Sequence, residues 1–146
     1  MEIQVSNGEL LDKITILKIK TENISDKEKL QNINFELEYL YEKSRSWWYY
    51  WYKELADLYE ELFSVNRKLW DIEDQIRELD KEVFPLEQYG EHSSVPFVPY
   101  FFLPEKVCEY MECARMVYTL NDRRSAIKKE INTITQSSII EEKSHK

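Results

Sequence analysis

The sequence predicts an all-α fold: an antiparallel bundle of about four helices, with one long heptad-patterned helix and a Pro- and aromatic-rich connection. Three observations predict it. The 146 residues include only two glycines and four prolines, too few for a β protein built on glycine turns. Charged residues make up 33% of the chain and mix both signs, as on solvated helix faces. Apolar residues recur at alternating steps of three and four over much of the length. At this size, residues 1–146 are expected to form a single helical-bundle domain with its own core.

The first helix is announced by Ser6-Asn7-Gly8-Glu9, a capping box in which a hydroxyl and a carboxylate satisfy the first unpaired backbone donors. Residues 2–5 before it alternate and read as extended. Leu10, Leu11, Ile14, Leu17 and Ile24 supply the apolar face of this helix, which runs to about Thr21. A second box, Ser25-Asp26-Lys27-Glu28, opens the next helix, carried on by Leu30, Ile33, Leu37, Leu40 and Tyr41. Lys43-Ser44-Arg45-Ser46 is where that segment is expected to bend or end.

The strongest pattern follows. Trp48, Trp51, Leu55, Leu58, Leu62, Val65, Leu69, Ile72, Ile76, Leu79 and Val83 keep one seam toward a neighbour throughout. Such a rod would be about 50 Å long at 1.5 Å per residue. Phe84-Pro85 stops it, because proline lacks the amide donor and crowds the preceding turn. Residues 85–103 hold Pro85, Gly90, Pro96 and Pro99 and cannot be regular helix. Yet Phe97, Tyr100, Phe101 and their neighbours are too apolar for a solvated loop, and are expected against the bundle end or another subunit. Pro104 suits the first turn of the last helix. There Tyr110, Cys113, Val117, Leu120, Arg124, Ile127, Ile131 and Ile134 resume the alternation until Thr133 to Ser138 end it.

Composition narrows the partners. A net charge of −8 argues against a nucleic-acid backbone or an anionic membrane surface, both of which want a basic footprint. The N-terminal residues lack the basic and apolar regions of a secretion signal. No run approaches the roughly 20 apolar residues of a membrane span. Cys108 and Cys113, five apart on one helix, face different ways and are expected as free thiols, which fits the cytoplasm of a bacterium or an infected host cell.

Arg124 is the most informative polar residue, standing on a seam where Leu or Ile is normal. A charge there needs a carboxylate or an anionic ligand, since an unpaired buried charge is strongly destabilising. Glu9 or Asp12 of the first helix is the expected partner. Glu73 lies too far along an antiparallel register and should pair with Arg77 at i,i+4. Either this is an ion pair that sets helix register, or Arg124, Lys13 and Lys128 hold a phosphate-like anion. Asn66 and Asn121 read as a hydrogen-bonded pair between helices. Asp71 and Asp74 point away from the seam, so no metal site is expected. The two histidines, His92 and His145, lie outside the helices. No activated nucleophile, zinc spacing or glycine-rich loop is present, and no cofactor is expected.

The segment Trp47-Trp48-Tyr49-Tyr50-Trp51-Tyr52 presents rings all round a helix at about 100° per residue. Either it inserts between several helices or some rings meet another chain. Trp47, Trp48, Tyr50 and Trp51, with Phe97, Tyr100 and Phe101, are therefore the candidate partner-binding residues.

Four stretches, Val5 to Leu17, Asn66 to Arg77, Val117 to Asn132 and Glu141 to Ser144, resemble an uncharacterised family of short helical bacterial and viral proteins, a domain of unknown function. The resemblance implies a helical fold and carries no established activity. It points to the same polar positions, among them Glu9, Asp12, Lys13, Asn66, Asn121, Arg124 and Lys128. The aromatic run and the 85–103 connection depart from the compact family pattern. The reading that results is a non-enzymatic helical-bundle protein that associates with itself or with a protein partner. The alternative is a small-molecule binding protein or enzyme that holds a phosphate or sugar-phosphate anion around Arg124.

Overall fold

The structure is a computed structural model that describes residues 3–83 and 104–142. The described residues form three helices and no strand: α1 (Asn7–Asn23), α2 (Lys27–Val83) and α3 (Pro104–Ile134). The aromatics Phe97, Tyr100 and Phe101 lie outside the described residues. No helix is long and apolar enough to cross a membrane among those described.

The caps follow the local chemistry, with one correction. Ser6 caps α1, its hydroxyl accepting the Glu9 N–H at 3.1 Å. At α2 the cap is Asp26 and not Ser25: Asp26 Oδ1 accepts the Lys29 N–H at 3.0 Å. A carboxylate is the better acceptor beside the positive end of a helix dipole. The end of α3 is a Schellman turn, with Ser137 N–H on the Asn132 carbonyl at 2.9 Å and Gln136 N–H on that of Thr133 at 3.3 Å. Gln136 there takes the left-handed φ of 50°, a conformation that glycine normally supplies.

Of the bend or end expected at Lys43 to Ser46, the end is not found. No proline or glycine occurs between Lys27 and Val83, and Ser44 returns its hydroxyl to the Tyr41 carbonyl on the helix itself at 3.2 Å. The two middle helices read from the sequence are one helix of 57 residues.

That helix is not straight. The rings of Trp48 and Tyr59 stand 5.2 Å apart, although eleven residues of straight helix would separate their backbones by about 16 Å. Tyr41 and Tyr59 are close enough to influence each other's ionisation, across a stretch that would be about 27 Å long if straight. Adjacent residues of α1 reach both arms: Lys13 meets Glu36 at 2.6 Å, and Asp12 meets Asn66 at 2.8 Å. These pairs place the change of direction near residue 50, in the aromatic run. With no helix breaker there, contact with α1 holds the bend.

Contacts gather into two compact units, Met1–Arg67 with Asp122–Lys146, and Lys68–Asn121. In the first, α1 is buried on well over half of its circumference, through Gly8, Leu11, Asp12, Ile14, Thr15, Leu17 and Ile19. Leu55, Leu58, Leu62 and Val65 of α2 and Ile127 and Ile131 of α3 complete that unit's buried apolar set. Lys18 lies over the rings of Tyr59 and Phe63, at 5.5 and 5.3 Å. In the second unit, Ile72, Leu79 and Cys113 form a core flanked by Ile76, Tyr110, Val117 and Leu120. The seam read from the spacing is therefore the buried side of α2 from Leu55 onward.

Candidate functional site: a buried ion-pair network and an aromatic groove

Two features of the first unit stand out chemically. One is polar and buried. Asp12, 1% exposed, receives Arg124 through two bonds, Nε to Oδ1 at 2.8 Å and Nη2 to Oδ2 at 2.5 Å. Asn66 donates both amide hydrogens inward, to Asp12 Oδ1 and to Thr15 Oγ1, each at 2.8 Å. Thr15 donates its own hydroxyl hydrogen to the Asp12 carbonyl at 2.7 Å. Three helices thus meet on one carboxylate. Paired, planar donors of this kind give an arginine–carboxylate contact its geometric specificity.

One turn toward the start of α1, Lys128 bridges Glu9 and Glu141, the latter at 2.9 Å. Ser6 donates to the other oxygen of Glu141 at 2.7 Å. Burial acts against the Lys128 charge, but the bonds from Glu9 and Glu141 outweigh it, and its pKa is raised. Burial likewise opposes the Glu141 charge, yet Lys128 and Ser6 hold its pKa below the ordinary 4.5. Gly8 donates its N–H to Asn132 Oδ1 at 2.7 Å, and Asn7 reaches Ser137 and Thr135 at 3.2 and 3.0 Å. No buried side-chain nitrogen or oxygen among the described residues lacks a hydrogen-bond partner.

Of the polar residues singled out in the sequence, Glu9, Asp12, Asn66, Arg124 and Lys128 come together. Lys13 does not join them, being held by Glu36 on the surface. Asn66 spends its amide hydrogens on Asp12 and Thr15, and Asn121 donates to the Val117 carbonyl of its own helix at 3.0 Å. Glu73 pairs with Arg77 as read, at 3.9 Å. Thr15, Asn132 and Glu141 are members that spacing did not reveal. Gly8 in the first turn of a helix is a sequence signal of close approach, though not of the neighbour: a Cβ there would fall 2.5 Å from the Lys128 carbonyl oxygen and 3.0 Å from Asn132 Oδ1. Among the described residues no group of three His, Cys, Asp or Glu is gathered as metal ligands.

The other feature is an apolar groove of about 740 Å³ at the bend of α2. Leu11 and Ile14 form its floor, and Tyr41, Trp48, Tyr52 and Tyr59 its walls. Within the aromatic run the tryptophans and tyrosines separate. Trp47, Trp48 and Trp51 are half-buried and make edge contacts with neighbouring rings. Tyr49, Tyr50 and Tyr52 point outward, 88%, 75% and 58% exposed.

Comparison with known proteins adds no relative: no family model, curated protein or solved structure matches this chain.

Proposed function

We propose that this chain is a non-enzymatic helical protein that acts by contact with protein, either itself or a partner, through the aromatic surface at the bend of α2. The observation that carries the reading is the juxtaposition of three outward tyrosines with an apolar groove beside them. Such a patch costs free energy while it faces water, and a partner that covers it removes that cost. Tyrosine is also favoured at interfaces, because its ring contributes area while its hydroxyl tolerates a wet rim.

The polar network takes the structural role in this reading. Its carboxylates and cations face one another and fix the register of α1 against α2 and α3, as buried polar groups do in coiled coils. We read the helical segments as an antiparallel, coiled-coil-like bundle, in which the two arms of α2 count as separate members. Membership of the uncharacterised helical family noted above is part of the same proposal, and so is a cytoplasmic location.

A photoreactive phenylalanine analogue at position 50, in cells that express the chain, tests the interaction directly. Protein adducts are expected from position 50 and none from a control at the exposed Lys129. Equal yields at the two sites would refute the reading.

A further inference from the structure

The rim of the aromatic surface carries two opposite charges. Glu42 and Arg45 stand on the rim of the groove, one helical turn apart and both exposed. Neither has an ion pair among the described residues. The other groove-lining side chains are aromatic or apolar except for Ser44, whose hydroxyl is already bonded.

We propose that the occupant of this face is a second copy of the chain, related by a two-fold axis that passes between Glu42 and Arg45. This rests on the reading of the aromatic surface as an interaction face. A two-fold contact must be self-complementary, so that residue i meets j and j meets i. A lone acid or a lone base near the axis would meet its own kind. An acid and a base one turn apart meet each other twice, Glu42 on Arg45 of the second copy and the reverse.

The neighbouring residues obey the same symmetry. Phe35, Glu38, Glu42, Arg45, Tyr49 and Tyr52 follow one another at steps of three and four, a second heptad stripe, and all six are exposed. On the arm of α2 before the bend, an axis midway between 42 and 45 sets Tyr49 of each copy opposite Glu38 of the other, where the phenol hydroxyl can donate to the carboxylate.

The test is sedimentation equilibrium of the purified full-length chain over a concentration series, with E42R, R45E, the double reversal E42R/R45E, and Y49E/Y52E. Circular dichroism of each variant checks that helix content is retained. The parent is expected to be a dimer. Each single reversal places like charges against each other and is expected to weaken dimerisation by at least about tenfold. The double reversal restores the opposite pairing and is expected to return to within about threefold of the parent, and Y49E/Y52E to be monomeric. A parent that is monomeric throughout overturns the proposal, as does a dimer indifferent to both single reversals or a double reversal no better than the singles. A monomeric parent that still forms position-50 adducts with another protein removes the second copy as occupant and leaves the interaction reading standing.

Discussion

The pair between Asp12 and Arg124 is lopsided in its burial, and that asymmetry yields a quantitative expectation. Asp12 is 1% exposed, whereas the Arg124 side chain is 28% exposed. Arg124→Met leaves a carboxylate shut away from water with Asn66 as the remaining donor to its Oδ1. Removing one member of a buried pair costs about 3–5 kcal/mol, and this variant belongs at the upper end. Asp12→Leu leaves a guanidinium that can turn toward solvent, so its cost belongs at the lower end, about 3 kcal/mol. The double variant Asp12→Leu/Arg124→Met leaves no orphaned charge and should cost about 2–3 kcal/mol less than the singles combined, which is the coupling energy of the pair. Urea unfolding followed by circular dichroism measures all four members of the cycle. The reasoning fails if Arg124→Met costs less than about 1 kcal/mol, or if the two singles simply add.

Three further expectations follow from the ends of α1 and α3. Gly8→Ala gains helix propensity of up to about 1 kcal/mol but drives a methyl into the Lys128 backbone at 2.5 Å; overpacking of about 1–3 kcal/mol should prevail and lower Tm, and a raised Tm would show that α3 yields freely. Gln136→Gly relieves a left-handed residue and should stabilise by about 1 kcal/mol, read as a higher urea midpoint at unchanged slope. The Lys128–Glu141 contact should make stability depend on pH at both extremes. Because the Glu141 pKa is depressed, its contribution is present above the ordinary 4.5 and fades as pH falls through the folded value; because the Lys128 pKa is raised, its contribution is present below the ordinary 10.5 and fades as pH climbs through the folded value. Glu141→Gln should flatten the acid limb of a Tm against pH curve, and an unaltered limb would contradict that assignment.

Much of the local structure is written into residue spacing. The seam from Leu55 to Val83, the Ser6 cap and the Glu73–Arg77 pair all depend on neighbours within a few residues, and helical geometry places these directly. The expectation that Asp12 or Glu9 meets Arg124 came from a different argument, the cost of leaving a seam charge unpaired, and it is met by Asp12. Residue types could not say which of the two acids would reach it, because both lie near the same turn of α1. Lys43 to Ser46, read as a place to bend or end, does not end the helix, because serine and lysine weaken a helix without forbidding it, whereas proline or glycine would have ended it; the bend falls a few residues further on.

By itself the sequence determined that the chain is helical, where α1 begins and which edge of α2 is apolar, since each of these is settled by capping chemistry and a three-and-four period. Only the tertiary structure decided that α2 bends in its aromatic run, that the tryptophans turn inward while the tyrosines face out, and that Gly8, Asn132 and Glu141 tie the start of α1 to the end of α3 and the segment after it. Those outcomes depend on contacts between residues dozens of positions apart, and no local pattern encodes which distant surface a side chain will meet.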